Sequence, residues 1–109
     1  MIETDVFDDG EELMRFAADR FAGALKRAAE RDETFTAALS GGSTPAALYR
    51  ELAKRTNAGE IDLSKARFYF GDERCVPAED VKSNFRMARE TLFDPAGIPA
   101  ENIFRWRTE

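Results

Sequence analysis

The sequence predicts an α/β fold built on a parallel sheet, and two observations predict it. The β-branched and apolar run Thr34-Phe35-Thr36-Ala37-Ala38-Leu39 ends in Ser40-Gly41-Gly42-Ser43-Thr44-Pro45, and a second run, Ala66-Arg67-Phe68-Tyr69-Phe70, ends in Gly71-Asp72-Glu73-Arg74. The chain between the runs is long enough for the helical crossover that parallel strands require. Crossovers of this kind are right-handed in nearly every case, and ligands in open α/β sheets collect beyond the carboxyl ends of the strands. Both loops lie at that edge.

The remaining elements follow from periodicity and punctuation. Ile2 to Phe7 reads as an edge strand that runs into a helix start at Asp8-Asp9-Gly10. From Glu11 to about Arg31, Leu13, Ala17, Phe21, Leu25 and Ala28 recur at spacings of four and three, with Arg15, Asp19, Arg20 and Lys26 on other faces. This is an amphipathic helix whose stripe is expected to pack on the core. After the glycine loop, Pro45 is placed at the first helical position behind Thr44 as cap, and Asn57 with Gly59 stops that helix. Ser83 caps a helix through Phe85, Met87, Ala88 and Leu92 that closes at Asp94-Pro95-Ala96-Gly97. Ile103-Phe104-Arg105-Trp106 begins one more extended segment. No repeat, low-complexity tract or linker separates modules.

Composition narrows the function classes. The 109 residues are 43% apolar and 34% charged, as in a globular domain, and the length suits one domain or part of one. Twenty-one acids against 16 bases give a formal charge of −5, which disfavours nucleic acid as a partner. Cys75 is the sole cysteine, so an intrachain disulfide and a paired-cysteine zinc site are excluded. The acidic N-terminus offers no secretion signal and no membrane span, so a cytoplasmic location is expected. There is no histidine, so any general base must be another group.

Three constellations can carry chemistry. In Ser40-Gly41-Gly42-Ser43-Thr44-Pro45 the paired glycines let backbone N–H groups approach an anion in front of a helix N-terminus, and Ser43 and Thr44 add hydroxyl donors. No lysine follows, so the nucleotide P-loop pattern is absent and a small phosphorylated metabolite is favoured over ATP. The same residues also satisfy a plain glycine turn with a Thr cap. In Gly71-Asp72-Glu73-Arg74-Cys75-Val76-Pro77, Arg74 offers a fork of donors to a phosphate or a developing oxyanion. Asp72 there can orient Arg74 or accept substrate hydroxyls, though a solvated turn with local ion pairs accounts for the same letters. Cys75 is expected to be inert packing. In Ser83-Asn84, Asn84 can offer an amide to a sugar hydroxyl or support the cap. Lys82, Arg86 and Arg89 are assigned no role.

Taken in this order, Ser40-Gly41-Gly42-Ser43-Thr44-Pro45, Gly71-Asp72-Glu73-Arg74-Cys75-Val76-Pro77 and Ser83-Asn84 resemble the 6-phosphogluconolactonase family. The resemblance implies a three-layer α/β/α fold with a parallel, Rossmann-like sheet. That fold is shared with glucosamine-6-phosphate deaminases and, more distantly, with ribose-5-phosphate isomerases and coenzyme A transferases. Deaminases carry Thr-Gly-Ser-Thr-Pro and Asn-Met-Asp-Glu-Tyr versions of the first two loops, so the lactonase branch is the better match. It implies hydrolysis of 6-phosphoglucono-1,5-lactone to 6-phosphogluconate in the oxidative pentose phosphate pathway, with a small-molecule sugar-phosphate lactone as partner and no cofactor or metal. Carried over by motif, Gly41, Gly42, Ser43 and Thr44 contact substrate beside its phosphate, Asp72 and Arg74 line the lactone site, and Asn84 supports it.

The family pattern continues beyond what matches here. Its members run to more than twice this length, and their second half carries a Gly-Asp-Gly-His segment whose histidine is taken to activate water. Residues 1–109 therefore read as the N-terminal portion of a single such domain, incomplete for catalysis, with self-association through a truncated sheet as an expected hazard. Two alternatives stay open: a non-catalytic module that binds a sugar phosphate, and a deaminase-like enzyme.

Overall fold

A computed structural model of the chain describes residues 4–108. Helix α1 (Gly10–Glu30) begins at Asp9, whose side chain accepts the Glu12 N–H at 2.7 Å, and Glu11 and Glu12 in its first turn complement the helix dipole. Strand β1 (Phe35–Leu39), helix α2 (Ser43–Asn57) and strand β2 (Ala66–Phe70) form the expected crossover unit. The strands pair in parallel from Phe35 opposite Ala66 to Leu39 opposite Phe70. A short third strand, β3 (Ile103–Phe104), pairs in parallel with β2 and completes the order β1-β2-β3. Among the described residues no helix is long and apolar enough to cross a membrane.

Two expectations about element ends need correction. Ile2 and Glu3 of the anticipated edge strand lie outside the described residues, and residues 4–7 form no strand. Phe7 instead packs on Phe16 of α1, with ring centroids 4.9 Å apart. Thr44 is not the cap of α2. Gly42 takes that position at φ 104°, which only glycine adopts readily, so the helix starts at Ser43 and Pro45 falls third. The first helical bond, Ala46 N–H to Gly42 O at 3.1 Å, spans the proline, whose missing N–H costs nothing in the first turn.

The helical run after β2 is one rod with a changed pitch. It starts as α3 (Asn84–Ala88), passes through a π-helical turn at Arg89–Phe93 and ends in α4 (Asp94–Ala96), stopped by Gly97 at φ 69°. The wider turn brings the consecutive residues Thr91, Leu92 and Phe93 all into buried positions.

The core lies between this rod, α2 and one face of the sheet. Ala66, Phe68 and Phe70 alternate inward along β2, and the Phe68 and Phe93 rings meet at 5.5 Å. Phe68, Phe93, Leu52, Leu63 and Leu92 are fully buried, each contributing roughly 1.5–3 kcal/mol of transfer free energy. Helix α1 joins through Ala18, with Phe21 edge-on to Phe35 at 5.0 Å. Arg55 ties α1 to α2 by bonding Asp19 at 2.7 Å and Glu51 at 3.1 Å. The stripe predicted for α1 is thus partly turned from the core: Phe21 and Leu25 pack on it, while Leu13 is exposed and borders an apolar groove of about 460 Å³ along β1.

Among the described residues no helix covers the opposite face of the sheet. Thr36, Ala38, Arg67 and Tyr69 point there, and Tyr69 stacks on Phe104 at 4.6 Å. The described residues therefore supply the sheet and one helical layer of the three-layer arrangement.

Candidate functional site at the carboxyl edge of the sheet

The two strands end level with one another, so the loops after them start side by side. The Gly71 N–H donates to Leu39 O at 3.0 Å, extending the ladder by one bond into the loops. Beyond Leu39, the Tyr49 hydroxyl reaches back from α2 to the backbone of Ser40. It donates to Ser40 O at 2.7 Å and accepts the Ser40 N–H at 2.9 Å. Tyr49 is buried, and burial raises its pKa against the opposing effect of the Ser40 bond, so the phenol stays protonated and can do both. Because Ser40 itself is exposed, water can replace the lost partner in Tyr49→Phe. That variant is expected to lose about 1 kcal/mol in urea unfolding. An unchanged midpoint would mean that the hydroxyl does not hold the loop.

From Ser40 the chain passes through Gly41, where space is the constraint. A Cβ on residue 41 would lie 2.1 Å from Asn84 Oδ1 and 2.6 Å from its Cγ. The Asn84 amide therefore occupies the volume that any other residue would need. Its Nδ2 donates to Asp72 O at 3.3 Å and to Asp72 Oδ1 at 3.4 Å. Gly41, Asn84 and Asp72 thus interlock from three separate segments, and Asn84 is 5% exposed whereas Asp72 is exposed to solvent.

Glu73 points the other way from the role its charge suggests. Its Oε1 accepts N–H bonds from Arg74 at 2.8 Å and Asn84 at 2.6 Å. Its Oε2 accepts from the Phe85 N–H at 2.8 Å and the Ser83 hydroxyl at 3.1 Å. Burial pushes this carboxyl up, but the four hydrogen bonds together hold it below its ordinary value, so it is ionised at neutral pH. A carboxylate so engaged is poorly placed to take a proton from water.

Arg74 and Cys75 are exposed, which corrects the expectation that Cys75 is packed. Gly42, Ser43 and Thr44 are exposed at the start of α2, where no side chain caps the helix. Ser43 and Thr44 also line a groove of about 980 Å³ between the start of α1 and α2, where Arg15, Arg50 and Lys54 are matched by the acids Asp9, Glu11 and Glu51. Ser83 caps α3 as predicted, accepting the Arg86 N–H at 3.2 Å. Arg86 and Arg89 are paired with acids, Arg86 with Glu90 at 2.7 Å and Arg89 with Glu79. Among the described residues no cluster of His, Cys, Asp and Glu is arranged to hold a metal.

Sequence reasoning missed Tyr49 and the engagement of Glu73. Neither has a local signal: Tyr49 lies nine residues from its partner, and Glu73 ten to twelve residues from the α3 groups it meets.

Parallel strands, a glycine turn opening a helix, and an acid–arginine loop interlocked with an asparagine define an α/β protein with its candidate site at the strand carboxyl ends. The chain belongs to the family described as glucosamine-6-phosphate isomerases/6-phosphogluconolactonase, which matches residues 8–109. The 6-phosphogluconolactonase of Haemophilus influenzae is 40% identical over 93 residues, covering 85% of this chain and 40% of that protein. The structure of 6-phosphogluconolactonase from Trypanosoma brucei superposes with a TM-score of 0.82 at 31% identity, covering 95% of this chain and 39% of the other. A monomeric glucosamine-6-phosphate deaminase gives a TM-score of 0.85 at 19% identity, a likeness of fold alone. The chain spans about two fifths of the length of the curated relatives it matches.

Proposed function

We propose that this chain supplies the substrate-holding share of a 6-phosphogluconolactonase, an enzyme that hydrolyses 6-phospho-D-glucono-1,5-lactone to 6-phosphogluconate, working in the cytoplasm without a cofactor. The observation that carries the reading is the interlock of Gly41, Asn84 and Asp72 beside Arg74, at the edge where α/β sheets bind ligands. In hydrolysis, water adds to the lactone carbonyl, the carbonyl oxygen becomes an oxyanion, and the ring oxygen leaves with a proton. Arg74 is suited to the phosphate or that oxyanion, because its guanidinium presents charged donors in a fixed plane. The uncapped start of α2 presents the backbone N–H groups and hydroxyls of Ser43 and Thr44 to an anion, with Gly41 and Gly42 allowing close approach. Asp72, exposed and steadied by Asn84, is suited to accepting sugar hydroxyls. The proton-transfer histidine implied by the resemblance has no counterpart among these 109 residues. These residues accordingly bind and position the substrate.

Calorimetric titration distinguishes this reading from its rivals. The chain is expected to bind 6-phosphogluconate at least about tenfold more tightly than glucosamine 6-phosphate, a difference of roughly 1.4 kcal/mol. It should also bind 6-phosphogluconate more tightly than unphosphorylated gluconate. Preference for the aminosugar would favour a deaminase-like site, and equal weak binding of all three would remove the sugar-phosphate reading.

A further inference from the structure

The first turn of α3 leaves backbone donors that need partners, and every one of them is accounted for. Ser83 Oγ takes the Arg86 N–H at 3.2 Å, Ser83 O takes the Met87 N–H at 3.3 Å, and Glu73 takes the Asn84 and Phe85 N–H groups. The carboxylate that does this comes from the loop after β2, the same loop that carries Asp72 and Arg74 on either side of it.

We propose that Glu73 is a positioning residue: by closing the first turn of α3 it holds the Asn84 side chain against Gly41 and Asp72, and so fixes the two ligand-edge loops relative to one another. The inference deepens the functional reading above, but its geometry stands independently of it. Asn84 is where the two roles meet. Its backbone N–H is bound by Glu73 at 2.6 Å, while its side chain fills the space over Gly41 and bonds Asp72. Shifting the α3 terminus therefore shifts the amide that sits between both loops. The charge of Glu73 matters because all four of its donors are neutral and two are helix-terminal N–H groups, which favour an anion. Glutamine keeps the shape, but its NH₂ group would face a donor instead of accepting from it. The other charged groups around this turn are Asp72 and Arg74 in the loop, Glu79, Asp80 and Lys82 ahead of α3, Arg86 within it, and Arg105, whose guanidinium lies over the Phe85 ring at 5.6 Å. Of these, Arg86 is paired with Glu90, and Asp80 accepts the Lys82 N–H.

Nuclear magnetic resonance on the ¹⁵N-labelled chain tests this without any ligand. Glu73→Gln is expected to lower hydrogen-exchange protection of the Asn84 and Phe85 amides about tenfold, and to move the Gly41 amide and Asn84 side-chain signals. Ser83→Ala, which keeps the carboxylate and all three N–H bonds to it, should leave the Gly41 signal in place. If Glu73→Gln melts earlier while the Gly41 and Asn84 side-chain signals stay unmoved, Glu73 stabilises a helix end and positions nothing, and the proposal fails. Equal movement of Gly41 in Ser83→Ala would also overturn it.

A second reading covers the case in which Glu73→Gln does not fold. In the unaltered chain the pinning is complete above the ordinary glutamate pKa and is lost as pH falls through the lowered value. The Gly41 amide and Asn84 side-chain signals should therefore titrate with the midpoint of the Glu73 carboxyl carbon, and an independent midpoint would overturn the proposal. Failure of 6-phosphogluconate to bind would remove the functional reading and leave these results intact.

Discussion

Gly41→Ala is expected to weaken binding of 6-phosphogluconate more than about tenfold, with loss of roughly 1–3 kcal/mol in stability. The new methyl group would sit 2.1 Å from Asn84 Oδ1, well inside contact distance. Relief by a simple rotamer change is blocked, because the Asn84 side chain is short, 5% exposed and tied to Asp72. Expelling it leaves buried polar groups without partners and frees the Asp72 loop. Gly42 offers a contrast at the next position: a methyl there meets nothing closer than 3.8 Å, and the penalty is the backbone φ of 104°. Calorimetric titration and scanning calorimetry on Gly41→Ala check both parts. Unchanged affinity would mean that the Gly41–Asn84 contact is not part of the binding edge.

Phe68→Ala should be the more damaging change for the fold, lowering the unfolding free energy by about 3–5 kcal/mol. Phe68 is fully buried at the centre of β2, its ring facing Phe93, and its backbone pairs with both neighbouring strands. A chain of this size is expected to have total stability of roughly 5–15 kcal/mol, so the variant would populate unfolded molecules under mild conditions. The carboxyl-edge loops would lose their support with it, since both begin where β1 and β2 end. Urea unfolding measures the loss; a change below about 1 kcal/mol would contradict the placement of Phe68 at the core.

The sequence was informative where short-range rules decide the outcome. Both runs of β-branched and aromatic residues became strands, β2 at the expected residues and β1 one residue shorter, because glycine and acid–glycine punctuation ends them. Ser83 announced the α3 cap for the same local reason. Long-range geometry overrode the rest. Pro45 suggested a helix start that Gly42 set two residues earlier, through a positive φ no pattern reveals. The regular spacing after Ser83 concealed a π-helical turn, which places Leu92 and Phe93 side by side in the core. At the site, the residue types were legible from their motifs, but their connections were not. Glu73 reads as one more acid in a charged loop until α3 folds back over it, and Asn84 reads as an amide for a sugar hydroxyl or a support for the cap until Gly41 is seen to lack the atom that would exclude it.

These 109 residues are proposed to hold a sugar phosphate at the carboxyl edge of the sheet. The most direct test is a titration of the ¹⁵N-labelled chain with 6-phosphogluconate, followed residue by residue and repeated with Arg74→Ala. Saturable shifts confined to Gly41–Thr44, Asp72–Arg74 and Asn84 are expected, with binding weakened about tenfold or more in the variant. Shifts centred elsewhere, or a response that Arg74→Ala leaves unchanged, would contradict that expectation.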